Sequence, residues 1–273
     1  MSESKSQLPK AILLDMDGVL YHGNKALHYA VDFIHQLATI PHVYITNNPI
    51  LLPEAIAEKL ERLGFPKPST EQIITSGIAT AEYLSSQKKD FSFYAIGAKG
   101  LHNALLRYGT ESETDADYVV VGEGEGIDFD KLTVATNLIV TKGAQLISTN
   151  PDASVDAVCE DRKTGKPIRC IVPGGGALVA PLVVATGVEP ITIGKPFPLL
   201  YEMALARLGL TAEDCLMIGD RPDTDILGAQ KLGMPTALVR TGRFEAGAKL
   251  PDGVRPDFDV EDLHGLSVEL GFS

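Results

Sequence analysis

Four apolar runs of strand length each break off at a polar or charged side chain, and this recurrence constrains the fold more than any single motif. Residues 11–14 run into Asp15-Met16-Asp17-Gly18, residues 42–45 into Thr46-Asn47-Asn48, residues 190–194 into Lys195-Pro196, and residues 215–219 into Asp220, with Asp225 five positions on. Between them lie helix patterns. Residues 53–64 open on Pro53, close on Gly64 and space Ile56, Leu60 and Leu63 on one face; residues 197–209 and 225–233 read the same way. Strands alternating with helices imply an α/β class, a parallel sheet with helices on both faces and its ligands at the carboxyl ends of the strands.

Residues i and i+2 of a strand share a face, so Asp15 and Asp17 are expected side by side, with Asp17-Gly18 turning the chain out of the sheet. A carboxylate pair, a hydroxyl, a lysine and a second carboxylate pair are the parts that phosphoryl transfer needs. Each part has a bland reading. Asp15 and Asp17 could cap a helix, Lys195 could be a solvated lysine, Asp220 and Asp225 a turn and an N-cap, and Thr46-Asn47-Asn48-Pro49 a loop before a helix. Independent loops rarely supply so complementary a set in this order, which favours the chemical reading.

The motifs resemble those of the haloacid dehalogenase superfamily: DMDGVL (15–20) is similar to its first motif, ITNN (45–48) to the second, GKP (194–196) to the third and GDRPDTDI (219–226) to the fourth. STNPD (148–152) and GKPFP (194–198) are similar to its NagD-like, para-nitrophenylphosphatase-like branch, and the resemblance spans residues 10–262. It implies a Rossmann-like core in two pieces, residues 1–77 and 188–273, with an α/β cap of the C2 type inserted over residues 78–187. It also implies Mg²⁺-dependent hydrolysis of a small phosphomonoester, nucleotide-, phosphoglycolate-, sugar- or pyridoxal-phosphate-like, through an aspartyl-phosphate. Asp15 is then the nucleophile, and Asp17 the acid for the leaving group and later the base for water. Thr46, the Asn47 amide and Lys195 hold the phosphate, with Asn48 near the cap face. Asp15, the main-chain carbonyl of Asp17 and Asp220 hold Mg²⁺, and Asp225 stands behind them to orient a water or Lys195.

An acid at position 17 matches phosphatases rather than dehalogenases or P-type ATPases. A phosphotransferase or mutase of the same superfamily stays open, as does a receiver-like module in which phospho-Asp15 is a signal, although a receiver has no use for the insertion. The chain departs from the branch at Pro49-Ile50-Leu51-Leu52, where serine and arginine are common, and at residues 26–30, where a proline-glycine pair is common. Residues 152–173 look longer than in relatives. They carry Arg162, Lys163, Lys166 and Arg169 around a hairpin tip at Thr164-Gly165-Lys166-Pro167, and are the candidate for choosing the substrate.

A formal net charge of −12 argues against nucleic acid and acidic membranes as partners. An anionic substrate must then be met by local charge, from Mg²⁺, Lys195 and backbone amides. No apolar stretch reaches the roughly 18 residues of a membrane span, and residues 1–10 lack a signal-peptide core, so a cytoplasmic protein is expected. A homodimer through the cap is a further expectation. Three cysteines without CxxC spacing argue against a disulfide framework or zinc site, with Cys159–Cys170 the one pairing left open. Within the insertion, residues 91–96, 118–121 and 146–149 read as strands and 131–141 and 176–186 as helices. Residues 122–126 read as a surface turn, Pro173-Gly174-Gly175-Gly176 as a tight cap turn, and His22 as solvent-exposed.

Overall fold

Three of the four apolar runs become neighbouring strands of one sheet, and the fourth supplies Ile191–Thr192 to a second sheet. A computed structural model describes residues 8–124, 126–244 and 247–272, so the expectation for residues 1–10 falls mostly on positions outside the described ones. The chain forms two compact units, the first from Met1–Thr46, Ile56–Ile74 and Leu200–Ser273, the second from Asn47–Ala55 and Thr75–Leu199.

In the first unit a six-stranded sheet runs Phe258–Val260, Thr236–Val239, Cys215–Gly219, Ala11–Leu14, His42–Thr46, Ile73–Thr75. The first five are mutually parallel. Register pairs Ala11 with Cys215 and Leu14 with Ile218, so the two central strands end level and release their next residues side by side. Ile12, Leu14, Tyr44, Leu216, Ile218 and Val239 pack into one core with Phe33, Ile34 and Leu37 and with Ile56 and Leu60 of the helix Pro53–Arg62. Burial on both sides explains the continuous apolar runs.

The expected helix from Asp225 is instead a wide π-helical turn, Pro222–Ile226, followed by the helix Leu227–Lys231. Such widened turns recur at functional sites because they re-aim a side chain. The first strand likewise ends at Leu14, ahead of Asp15, and Asp17 is exposed where Asp15 is buried. Strand alternation therefore does not describe this pair; the loop after the strand sets where each acid points.

The second unit is built on a five-stranded sheet in the order Ile191–Thr192, Gln145–Ser148, Tyr118–Val121, Ser92–Ile96, Thr110–Glu111, parallel throughout. The helix Phe129–Lys142 starts two residues before the apolar pattern does, because Asp128 accepts the Lys131 amide at 2.8 Å as an N-cap. Its core joins Tyr94, Val119, Val121 and Leu146 to Ala135, Leu138, Val179 and Leu182. The fold class is α/β with a Rossmann-like sheet and an α/β insertion.

One sequence expectation in this unit needs correction, and one pairing left open by the sequence is made. Glu123 is no surface residue: it is 2 % exposed and accepts a hydrogen bond from Asn150 Nδ2 at 2.9 Å. Cys159 and Cys170 are joined by a disulfide across the antiparallel hairpin of Ser154–Glu160 and Pro167–Pro173. Inward positions of this hairpin are half-buried and outward ones exposed, so the bond does work that a deep core does elsewhere.

Candidate active site

The level strand ends bring two acids together. Asp15 follows Leu14, its amide donating to the Ile218 carbonyl at 2.9 Å, and Asp220 follows Gly219 on the paired strand. The wide turn adds Asp225, whose Oδ2 accepts the Arg221 amide at 3.1 Å. Asp15, Asp220 and Asp225 are all buried, and one carboxylate oxygen from each lies within 4.8 Å of the others. Three buried carboxylates repel one another in a medium that screens poorly, which is costly unless a cation compensates. Oxygen donors of this hardness fit a Mg²⁺-like ion. Asp225, expected behind the metal, stands in this group directly.

The backbone around the acids is kept bare. A Cβ at Gly18 would lie 2.5 Å from Asp220 Oδ2, one at Gly242 would collide with Asp220, and one at Gly219 with Asp225. The Arg243 amide donates to Asp220 Oδ2 at 3.0 Å, and Thr241 Oγ1 to the Gly18 carbonyl at 2.6 Å. His22 is exposed, as expected, with Nε2 2.7 Å from the Thr241 carbonyl.

Asp17 stands outside the three-acid group. Its Oδ2 accepts the Tyr21 hydroxyl at 3.3 Å, and Lys59 Nζ lies 3.6 Å from the centre of the Tyr21 ring. Burial first, then the charges of Asp17 and Asp15, push the Tyr21 hydroxyl well above its ordinary value, so it stays a donor. Tyr201 responds alike to burial and to Asp225 and Asp15, and donates to the carbonyls of Thr224 at 2.8 Å and Asp225 at 3.1 Å, bracing the wide turn. Neither tyrosine was singled out by the sequence. The spacing of Tyr21 four residues past Asp17 is the signal that would have found one of them.

Thr46 ends its strand and is buried in the first unit. Asn47 and Lys195 belong to the second unit, where both are buried. Asn47 Oδ1 accepts the Lys195 amide at 2.7 Å, and its Nδ2 donates to the Lys195 carbonyl at 2.9 Å and to Asp152 Oδ2 at 3.0 Å. The carboxamide thus has both N–H groups committed to protein. Asn150 joins the network, donating to the Asn47 carbonyl at 2.8 Å and accepting the Asp152 amide at 3.1 Å. Asn48 is half-buried, and its Oδ1 accepts the Ile50 amide at 2.8 Å.

A parallel α/β sheet that gathers three buried carboxylates at adjoining strand ends defines an α/β protein with an acidic, metal-competent centre. A family model for haloacid dehalogenase-like hydrolases matches residues 12–111, and a second for HAD-like hydrolases matches residues 192–266. The acid sugar phosphatase of Staphylococcus aureus is 39 % identical over 266 residues, covering 96 % of this chain and 98 % of that protein. Among solved structures, NagD from Escherichia coli K-12 superposes with a TM-score of 0.80 at 28 % identity, over 94 % of this chain and 98 % of that one. A 4-nitrophenylphosphatase from Thermotoga maritima gives 0.81 at 28 % identity, over 95 % and 97 %. The chain belongs to the haloacid dehalogenase-like hydrolases, in their NagD-like branch. It is an enzyme of the phosphoric monoester hydrolase class. Among the described residues, no helix is long and apolar enough to cross a membrane.

Proposed function

We propose that the protein hydrolyses a small phosphorylated metabolite in two steps through an aspartyl-phosphate on Asp15. The observation that carries this reading is the buried group of Asp15, Asp220 and Asp225. As a carboxylate, Asp15 attacks phosphorus without needing a base, forming an acyl phosphate. Asp17 protonates the leaving oxygen and then takes a proton from the water that hydrolyses the intermediate. Asp15, Asp220 and the Asp17 carbonyl would hold Mg²⁺, with Asp225 beside them. Bound there, the ion offsets repulsion between the nucleophile and the phosphate. Thr46, the backbone amide of Asn47 and the Lys195 ammonium contact the phosphate oxygens in this reading, while the Asn47 carboxamide holds Lys195 in place.

Residues 78–187 act as the cap, and the hairpin within them is the candidate selector among sugar, nucleotide, phosphoglycolate and pyridoxal phosphates. Sugar phosphates lead the panel, since the relative named acid sugar phosphatase matches along nearly all of this chain. The reading is of a cytoplasmic enzyme, without nucleic-acid or membrane partners, that dimerises through the cap. Rapid acid quench during turnover, followed by mass spectrometry, tests the mechanism. Phosphate on the peptide carrying Asp15 supports it, and turnover with no phosphopeptide at any quench time removes the covalent route.

A further inference from the structure

Tyr21 lies four residues past Asp17, and the backbone between them is wound so tightly that the two side chains meet. Gly18 donates its amide to the Tyr21 carbonyl at 2.9 Å and adopts φ +85°, a left-handed conformation that glycine supplies without strain. The turn returns the ring to Asp17, with the hydroxyl donating to Oδ2 at 3.3 Å. That distance is long for a hydroxyl donor, as is common for catalytic contacts that tighten once substrate is bound. The ring is 3 % exposed and packed in the core of its unit, and the Lys59 ammonium over its face adds a cation–π contact. Ring and hydroxyl are therefore held from both sides.

We propose that Tyr21 is a positioning residue for Asp17: its hydroxyl fixes the plane of the carboxyl group that hands a proton to the leaving oxygen. The proposal rests on the reading of Asp17 as general acid. In that step a bond forms between Asp15 and phosphorus, and the bond from phosphorus to the leaving oxygen breaks. The proton of the Asp17 carboxyl passes to the departing oxygen, leaving Asp17 as a carboxylate. A carboxyl free to rotate points its proton at that oxygen only part of the time. The loss of Tyr21's hydrogen bond is felt in proportion to how much the leaving group needs the proton.

A purely structural tyrosine would slow every substrate alike, which supplies the test. Tyr21→Phe keeps the buried ring and its contact with Lys59 and deletes only the hydroxyl. Its kcat/KM is measured on aryl phosphates running from para-nitrophenyl to para-methoxyphenyl phosphate, with Asp17→Asn as the reference. Nitrophenolate departs with little protonation, whereas methoxyphenolate depends on it. The loss in Tyr21→Phe should be about tenfold greater at the methoxyphenyl end than at the nitrophenyl end, in the same sense as for Asp17→Asn and smaller. An even loss across the series, or none, beside a steep Asp17→Asn series overturns the role of Tyr21 alone. A flat series for Asp17→Asn overturns the acid reading and the proposal with it.

Discussion

Asn47 and Lys195, 148 residues apart, hold each other at two points: the Lys195 amide donates to Asn47 Oδ1 at 2.7 Å and Asn47 Nδ2 donates back to the Lys195 carbonyl at 2.9 Å. A side-chain carboxamide here does what a neighbouring strand's peptide group does in a sheet, giving one donor and one acceptor to the same residue. Gly194 makes the approach feasible, since a Cβ there would lie 2.6 Å from Asn47 Oδ1.

Asn47→Asp should be severe. It deletes both donors and sets a second carboxylate where the amide now meets Asp152 at 3.0 Å, in a site buried at both residues. The expected cost is about 3–5 kcal/mol, read from urea unfolding. Asp152→Asn in the same chain restores a donor opposite the new carboxylate, so the double variant should be more stable than the sum of the two single changes implies. Strict additivity would show that the two side chains do not interact.

Asp15→Asn should reduce phosphatase activity by on the order of 10⁴-fold or more, because the attacking group and one metal ligand disappear together. EDTA should abolish wild-type turnover and Mg²⁺ restore it. More than a tenth of wild-type turnover in freshly purified Asp15→Asn, checked for deamidation, would remove Asp15 from the nucleophile's role.

Much of the fold was legible because strands buried on both faces must be apolar throughout, as the runs before Asp15, Thr46 and Asp220 are; the run before Lys195 keeps only the short, partly exposed strand Ile191–Thr192. Helices with proline near one end and glycine just past the other were equally readable, whereas the one expected to open on Asp225 proved to be a wide turn. What escaped depended on partners far away in the chain. Glu123 looks like a turn glutamate until Asn150 is brought to it, and the partners of the Asn47 carboxamide, Asp152 and Lys195, lie 105 and 148 residues away. The disulfide stayed open because a hairpin tip at Thr164-Gly165-Lys166-Pro167 does not by itself fix the register that brings Cys159 beside Cys170. Tyr21 was local enough to be found, but a tyrosine after an apolar run reads as core, and it is that as well.

Gly18→Ala should lower stability by about 2 kcal/mol, since alanine is strained at φ +85° and its methyl would press on Asp220 Oδ2. The informative readout is Mg²⁺ activation. Displacement of Asp220 should raise the half-activating concentration about tenfold, as disturbances around metal ligands do. An unchanged Mg²⁺ titration would mean that Asp220 does not serve the ion.

Asp117 gives the fold a pH dependence. Burial works upward on its carboxyl, but the Lys88 ammonium at 2.6 Å and the amide and hydroxyl of Ser92 at 2.9 and 3.0 Å outweigh it and hold Asp117 below the usual carboxylate range. A carboxyl lowered by folding contributes stability above its unfolded value of about 3.9 and loses it as pH falls through the lowered folded value. Asp117→Asn should thus be about 1 kcal/mol less stable than wild type at pH 7, with the gap closing on acidification toward pH 3. A gap that stays constant would show that the charge contributes nothing.

The thiols can be counted. Cys215 is buried and its thiol is pushed up to about 11, chiefly by burial, so the native protein should resist thiol reagents. Unfolded without reductant, the chain should titrate one thiol; after reduction, all three. Three thiols without reduction would mean that Cys159 and Cys170 are not joined.

The hairpin closed by Cys159 and Cys170 has one face with no packing duty. Cross-linking so short a loop stabilises it by about 3 kcal/mol on chain-entropy grounds. Val158 and Ile171, 66 % and 70 % exposed, and the neighbouring Arg169 and Asp156 can therefore change without loss of a core contact. In evolutionary terms the bond decouples heritable variation at these positions from the survival of the fold. A lineage carrying it can rewrite the outward face of the hairpin one residue at a time while the pairing of its two strands stays constant.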